Sequence, residues 1–320
     1  MPSNITRNSG EPGHFVAELE DTPIAPIDSA INEAQKPRST WSDAWDSMRH
    51  RPLFWISSAL IALIVVVALA PNLFTQVSPI ACDLAFSNQG PSAGHPFGYT
   101  RQGCDTFSRV IHGTQASLLV GVLATVLAAL LGIVFGAVAG YYGGLFDSAL
   151  SRVADIFFAI PTVLGGIVVM SVFSEYRTPL LVAFVLAVFA WPQIARIMRG
   201  AVLTAKQSDY VMASRALGVS KFRVLLRHVM PNAIAPVIVV ATIMLGTFIV
   251  AEATLSFLGI GLPPDVMSWG NDIGQARTTI RTSPMTLFWP AAALSITVLS
   301  FLMLGDVVSD ALDPKARARR

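Results

Sequence analysis

Long apolar runs separated by polar segments dominate the pattern of residues along this chain. Six of these runs approach the roughly 20 helical residues that are needed to cross a bilayer core of about 30 Å. None alternates like a membrane β-barrel, and lipid forces the backbone to satisfy its own hydrogen bonds, so the pattern predicts six transmembrane α-helices. We place them at residues 53–74, 116–141, 150–173, 180–198, 233–255 and 285–308.

Two of the six runs contain residues that interrupt an apolar helix. Asp155 and Pro161 interrupt the third run, and Pro192 interrupts the fourth. The composition nevertheless supports a membrane protein, because 53% of the residues are hydrophobic and only 13% are charged, compared with about 25% charged residues in soluble domains. The predicted fold is therefore an all-α polytopic membrane protein.

Positively charged residues indicate the orientation, because Lys and Arg are enriched in the cytoplasmic loops of membrane proteins. With the N-terminus inside, seventeen of the 22 Lys and Arg residues lie on the inner side and five on the outer side. Both termini are therefore predicted to be cytoplasmic, with a basic C-terminal segment at 315–320. The external loop is predicted at 75–115 and a cytoplasmic loop at 199–231. A net charge of +2 gives no reason to expect nucleic acid as a partner.

The polar segment before the first span divides into two parts. Residues 1–40 are rich in Pro, Ser, Asn and acidic residues, which predicts a disordered cytoplasmic tail. At 41–52, Trp41, Trp45 and Met48 recur at helical spacing before two arginines, which predicts an amphipathic helix in the membrane interface. The alternative is an inward extension of the first span.

Three glycines in the second span, Gly132, Gly136 and Gly140, follow one another at intervals of four residues. This spacing places them on one helix face, where small residues allow two helix backbones to approach closely in lipid. We predict that this face packs against another helix, either in this chain or in another subunit.

The cytoplasmic loop contains a basic segment, 208–231, with helix signals. Ser208 is a good N-cap with Asp209 in the first turn, and Gly218 suits a left-handed C-cap after Leu217. A second helix is predicted from about Ser220 to Met230, where Pro231 blocks direct continuation into the fifth span. The first helix places Tyr210, Ala213 and Leu217 on one face. A docking site for a partner and an amphipathic helix on the lipid surface are both consistent with this pattern.

This segment resembles the cytoplasmic coupling loop of ABC importer permeases. That pattern has Glu-Ala-Ala, three residues, Gly, nine residues and Ile-x-Leu-Pro, and here Met212, Ala213, Ser214, Gly218, His228, Met230 and Pro231 stand at the matching positions. The acid of the pattern is absent, because Met212 replaces it. The resemblance implies that the segment is a coupling helix that contacts an ATPase. Its predicted coupling residues are Ser208, Asp209, Tyr210, Ala213, Arg215, Ala216, Leu217 and Gly218.

Further motifs are similar to those of inner permeases, of the second or C type, from dipeptide and oligopeptide importers. HPFGYTRQGCDTFSR at 95–109 resembles one family segment, and SWGN at 268–271 resembles part of another. The segments at 190–200 and 304–314 complete the series. Together these motifs extend the resemblance over about residues 49–314, which is nearly everything except the tail.

The resemblance implies a permease domain at 53–314 that forms half of a translocation pathway in the bacterial plasma membrane. The implied partners are a second homologous permease, two cytoplasmic ATPases and an external substrate-binding protein that delivers di- or oligopeptides. Nickel or another small solute is the alternative substrate within this class. The chain has no phosphate-binding loop, because no lysine follows a glycine. We therefore expect no cofactor in this chain, and expect the partner ATPases to bind ATP and Mg²⁺.

Three acidic residues within predicted spans, Asp155, Glu252 and Asp306, are candidates for gating or structural roles. A stand-alone, proton-coupled secondary transporter would use such groups directly, and this is the rival hypothesis from another class. The five histidines show no metal-like spacing, and no catalytic triad stands out. The sequence therefore predicts neither a metal site nor an enzyme.

Both cysteines of the chain, Cys82 and Cys104, fall in the predicted external loop. Thiols outside the cytoplasm can oxidise, so we predict a disulfide between them. In the chain-entropy model such a bridge contributes about 3 kcal/mol to the free energy of unfolding. Two free, buried thiols are the alternative.

Overall fold

The computed structural model describes residues 40–312, and this part of the chain is helical with no β-strand. The predicted basic segment at 315–320 and the predicted tail, except for Thr40, lie outside the described residues. The α-helices of the described part are α1 (Thr40–Arg49), α2 (Pro52–Leu69), α3 (Thr106–Tyr142), α4 (Gly144–Ala159), α5 (Thr162–Val172), α6 (Pro179–Ala205), α7 (Asp209–Ala216), α8 (Lys221–Val224), α9 (Met230–Ala233), α10 (Ala235–Phe257), α11 (Trp269–Ala276) and α12 (Met285–Leu312).

Five of these helices, α2, α3, α6, α10 and α12, are long and apolar enough to cross a membrane. The pair α4 and α5 forms a sixth candidate span, but the two helices meet at an angle of 84°. With 11 residues, α5 is only about 16 Å long and cannot cross a bilayer core alone. The described residues therefore contain five candidate spans that are single helices and one bent pair.

The third span was predicted as one helix at 150–173, but in the structure this segment is divided between α4 and α5. The residue before a proline is disfavoured in the helical region, and Ile160 is extended at φ −101° and ψ 116°. Pro161 then stands at the N-cap of α5. By contrast, Pro192 does not end the fourth span, since α6 continues through it from Pro179 to Ala205.

The second span begins earlier than its apolar run. Helix α3 starts at Thr106 and has 37 residues. Asp105 caps this start, because its Oδ2 accepts a hydrogen bond of 2.6 Å from the Ser108 backbone N–H. The predicted external loop therefore ends at Asp105 and not at 115.

The glycine face of α3 packs against α6. A Cβ atom on Gly132 would lie 2.5 Å from the Cβ of Ile194, and one on Gly140 would lie 2.8 Å from the Arg199 carbonyl oxygen. The Lys206 Nζ also donates a hydrogen bond of 2.8 Å to the Gly140 carbonyl. The helix that meets these glycines thus lies within this chain.

The helix predicted at 41–52 forms as α1, which ends at Arg49 and is separate from α2. Ala44 is buried, while Trp45 is half-exposed and meets the Phe54 ring edge-on at 5.6 Å. An ion pair of 2.6 Å joins Arg51 to Asp310 of α12. The start of α2 and the end of α12 are therefore close together.

Contacts between helices define the two ends of the bundle. Helices α10 and α12 are antiparallel, since Gly246 lies beside Val298 whereas Gly305 lies beside Ile243. We call the end that carries residues 70–105, the 258–284 connection and the start of α3 the long-loop end. The opposite end, where α6 leads into α7, is the short-helix end.

Candidate functional site

The short-helix end carries a compact helical segment between α6 and α10. Helix α7 begins after Ser208, whose backbone is extended and whose carbonyl accepts hydrogen bonds from the N–H groups of Val211 and Met212 at 3.0 and 3.1 Å. The Ser208 side chain makes no capping hydrogen bond. Ser208 thus occupies the N-cap position through its backbone alone.

The other end of α7 is a glycine-terminated turn. Gly218 has φ +80°, a left-handed conformation that is disfavoured for residues with a Cβ. Its N–H donates to the Arg215 carbonyl at 3.1 Å, and the Val219 N–H donates to the Ser214 carbonyl at 3.2 Å. This pair of bonds is the Schellman motif, and it turns the chain sharply after Leu217.

The second predicted helix, Ser220–Met230, is divided into three parts. Helix α8 is followed by a π-helical turn at Leu225–Val229 and then by α9, which contains Pro231. A proline lacks the N–H of a regular α-helix, and the wider π-helical turn lies just before it. The helical path therefore passes through Pro231, and the break before α10 falls at Ile234 instead.

Two residues of α7, Val211 and Arg215, connect it to the bundle. Val211 has no exposed surface and belongs to the same buried cluster as Val224, Leu225 and Val229. Arg215 reaches the bundle too, with its guanidinium 5.9 Å from the centre of the Tyr141 ring at the end of α3. The helix is therefore held against the spans on one side only.

The outward side of α7 exposes apolar groups. Leu217 is 84% exposed, Met212 52% and Tyr210 46%, and Ala213 and Ala216 are also exposed. Tyr210, Ala213 and Leu217 lie on one helix face, as their spacing predicted. We call these five residues the α7 face.

Comparison with known proteins decides the family. Residues 132–318 match the model of the binding-protein-dependent transport system inner membrane component. The chain belongs to this family. Residues 39–91 also match the N-terminal transmembrane domain of oligopeptide transport permease C. The chain is thus an ABC importer permease of the peptide and oligopeptide family.

Curated relatives extend the match over most of the permease. The glutathione transport system permease protein GsiD of Escherichia coli O6:K15:H31 is 36% identical over 284 residues, which cover 88% of this chain and 92% of that protein. The proteins of the same name from Shigella boydii serotype 4 and Escherichia coli O157:H7 show the same identity and coverage. The permease is therefore a multi-pass protein of the bacterial plasma membrane.

Of the three acidic candidates, Glu252 is the most buried. Its side chain lies in α10 with no exposed surface, and its Oε1 accepts a hydrogen bond of 2.8 Å from the Ser256 hydroxyl. The side chains of Ser117 and Ser268 also interact with this carboxyl group. Its Oε2 is buried without a hydrogen-bond partner.

The three serines around Glu252 connect α10 to the chain that follows it. Their hydroxyl oxygens accept hydrogen bonds from the backbone N–H groups of Leu262, Trp269 and Asn271, at 3.0, 3.2 and 3.2 Å. Glu252 therefore sits at the centre of a network that joins α3, α10 and the 262–271 segment at the long-loop end.

The other two acidic candidates lie in different surroundings. Asp155 of α4 is paired with Arg196 of α6 at 3.4 Å, and both side chains are more than half exposed. Asp306 is exposed on α12. The structure therefore does not bring the three acidic residues together into one site, and the described residues contain no group of ligands that could hold a metal ion.

Two further ion pairs, like those above, were not predicted from the sequence. Arg199 binds Asp147 through two hydrogen bonds of 2.5 and 2.7 Å. At the long-loop end Arg109 of α3 donates from Nε, at 2.9 Å, and from Nη2, at 2.5 Å, to Oδ1 of Asp272 in α11. Burial raises the pKa of the Asp272 carboxyl, and the neighbouring Arg109 guanidinium counteracts that rise.

The loop at 70–105 is cross-linked. Cys82 and Cys104 form a disulfide, with an S–S distance of 2.04 Å. His95 Nδ1 lies 2.9 Å from Oδ1 of Asp105, the residue that caps α3, and the Phe97 ring stacks on Trp289 of α12 at 3.8 Å. These contacts hold the loop against the bundle.

Proposed function

We propose that this permease forms half of the translocation pathway of an ATP-driven importer for di- or oligopeptides, and that the α7 face is its contact with an ATPase. The α7 face carries this proposal, because apolar side chains that stand out from a membrane protein at a loop indicate a protein interface. The match to a binding-protein-dependent family supports it.

The proposal requires the short-helix end to face the cytoplasm. The sequence supports this orientation, since seventeen of the 22 Lys and Arg residues are predicted to be cytoplasmic. In this orientation the long-loop end, with its disulfide, faces the outside. An external binding protein would then deliver the solute to the long-loop end.

The coupling mechanism in this proposal is rigid-body movement. Helix α7 lies between α6 and α10 in the chain, and Val211 belongs to a buried cluster that also contains Leu225 and Val229 of the π-helical turn before α10. A movement of the ATPase that displaces α7 would therefore also displace α6 and α10. Because Met212 replaces the acid of the coupling pattern, the contact rests on the shape of Ala213 and Gly218 more than on charge.

The partners in this proposal are a second homologous permease, two cytoplasmic ATPases and an external binding protein. ATP and Mg²⁺ bind to the ATPases, and this chain contributes no catalytic group. The peptide class is supported by the match of residues 39–91 to oligopeptide transport permease C. The relatives named as glutathione transport permeases, at 36% identity, make glutathione a second substrate to test.

Reconstitution into liposomes tests the proposal. The permease alone should transport nothing, whereas the complete set of partners with ATP should accumulate a labelled dipeptide or glutathione inside the liposomes. Uptake by the permease alone, driven by a proton gradient and independent of ATP, would show that it is a secondary transporter instead.

A further inference from the structure

A cavity of about 220 Å³ lies at the long-loop end, away from the α7 face. It is formed by the last residues of the loop before α3, by α11 and by the start of α12. Its polar wall includes Arg101, Gln102, Thr106, Arg109, Asp272 and Gln275. Coupling to an ATPase at the other end of the bundle leaves this cavity without a role.

The wall of the cavity carries an excess of positive charge. Arg109 is neutralised by Asp272, and both side chains are more than nine-tenths buried. The other cation, Arg101, has no carboxylate partner among residues 42–312. Arg101 therefore gives the cavity one uncompensated positive charge.

Arg101 lines the cavity and is also exposed to solvent. Its Nη1 donates a hydrogen bond of 3.3 Å to the hydroxyl of Thr278, another lining residue. One guanidinium has five N–H donors, so this single bond leaves most of them free for a ligand. A planar guanidinium matches a carboxylate well, because the two groups can form parallel hydrogen bonds.

Two polar atoms of the lining residues are buried without a hydrogen-bond partner, the hydroxyl oxygen of Thr106 and Oδ2 of Asp272. Thr106 is 2% exposed, and its hydroxyl makes no hydrogen bond in the structure. Buried polar atoms are nearly always hydrogen-bonded, so the Thr106 hydroxyl is available to a polar group that enters the cavity. A hydroxyl can donate to a carboxylate, as a guanidinium does.

We propose that this cavity binds the carboxylate of a small solute, with Arg101 as its counter-ion and Thr106 as a hydrogen-bond donor. The cavity is smaller than the roughly 300–1,000 Å³ of typical ligand pockets, so it would hold one end of a solute and not the whole molecule. The inference rests on the proposed function, since the carboxyl end of a short peptide is such a group and the long-loop end is the proposed entry side.

Thiol labelling of the assembled transporter in proteoliposomes tests this site. The two native cysteines form a disulfide, so Gln275→Cys places one free thiol in this subunit, in the cavity wall. A charged maleimide added from outside should label it, and dialanine should slow that labelling severalfold. Dialanine amide, which lacks the carboxylate, should not slow it.

Two arginine variants provide the matched comparison. Arg101→Gln in the Gln275→Cys background should abolish protection by dialanine. Arg281→Gln should leave it intact, because Arg281 is exposed at the same end and does not line the cavity. Thr282→Cys, at a position that is also exposed and does not line the cavity, should be labelled at the same rate with and without dialanine.

Equal labelling of Gln275→Cys with dialanine and with its amide would overturn the proposal, and so would full protection in Arg101→Gln. The measurement needs no ATP hydrolysis. A failure here would therefore leave the proposed transport function standing, while failure of ATP-driven uptake would not by itself remove the binding site.

Discussion

Ser256 lies one turn after Glu252 in α10, and its hydroxyl joins the Glu252 carboxyl group to the backbone of the segment that follows α10. It donates a hydrogen bond of 2.8 Å to Glu252 and accepts one of 3.0 Å from the Leu262 N–H. Ser117 and Ser268 accept in the same way from the N–H groups that begin α11. A buried acidic residue that looks like a proton carrier in the sequence is thus placed to orient a loop.

Replacing Glu252 with Leu should destabilise the permease. The change removes the acceptor for the Ser256 hydroxyl, and leaving a buried polar group unsatisfied costs about 1–3 kcal/mol. Gln keeps one acceptor oxygen, so Glu252→Gln should lose less. The temperature of thermal unfolding in detergent measures both variants. If Glu252→Leu unfolds at the wild-type temperature, the network does not hold the 262–271 segment.

Close packing of α3 on α6 predicts opposite effects for two glycine substitutions. A Cβ on Gly140 would press on a backbone oxygen at 2.8 Å, whereas one on Gly200 would meet no atom within 4 Å. Gly140→Ala should therefore lower the free energy of unfolding by about 1–3 kcal/mol, the usual effect of overpacking. Gly200→Ala should leave it unchanged or raise it by up to about 1 kcal/mol, because Ala favours helix.

The same unfolding measurement on the purified chain compares the two glycine variants. Equal loss of stability in both variants would mean that the two glycines are required for a reason other than the contact between α3 and α6. A loss in Gly200→Ala alone would contradict the packing directly.

The disulfide between Cys82 and Cys104 should stabilise the loop at the long-loop end. Without reduction, an alkylating reagent should add nothing to the unfolded chain, and after reduction it should add two groups. The double variant Cys82→Ala/Cys104→Ala should unfold more easily, by about 3 kcal/mol in the chain-entropy model. Alkylation of both cysteines before reduction, measured by mass spectrometry, would contradict the cross-link.

Hydropathy predicts where most spans lie, because the lipid-facing positions must be apolar whatever the tertiary structure. Hydropathy misplaces the start of α3, because the largely polar segment from Thr106 to Gln115 lies in the helix but outside the apolar run. The cap at Asp105 is the local signal that marks the true start. The bend between α4 and α5 has a local signal as well in Ile160–Pro161, but its angle of 84° depends on the packing of both helices.

The long-range partners in the site have no such local signal. Arg109 and Asp272 are 163 residues apart in sequence, and no helical or strand periodicity connects them. Likewise, the three serines around Glu252 come from α3, α10 and the residue before α11. For the α7 segment, by contrast, the glycine C-cap and the exposed face follow from short-range signals, because one glycine and one turn of helix define them.

Ala213→Phe provides the sharpest test of the α7 face. The Ala213 side chain is exposed, so a ring at this position should leave insertion and the unfolding temperature of the permease unchanged. If a partner packs closely there, the ring should prevent its approach and reduce both transport and binding-protein-stimulated ATP hydrolysis in the assembled complex. Ala149→Phe, the same change at an exposed position of α4, is the control and should retain both activities.

Two outcomes separate coupling from simple assembly. If the ATPases still copurify with Ala213→Phe but no longer respond to the binding protein, α7 transmits the movement between the subunits. If they are lost from the complex, the α7 face supplies the affinity that holds them. Normal stimulated hydrolysis together with normal transport would show that the α7 face is not the coupling contact, and the exposed side chains of Tyr210 and Leu217 would then require another partner.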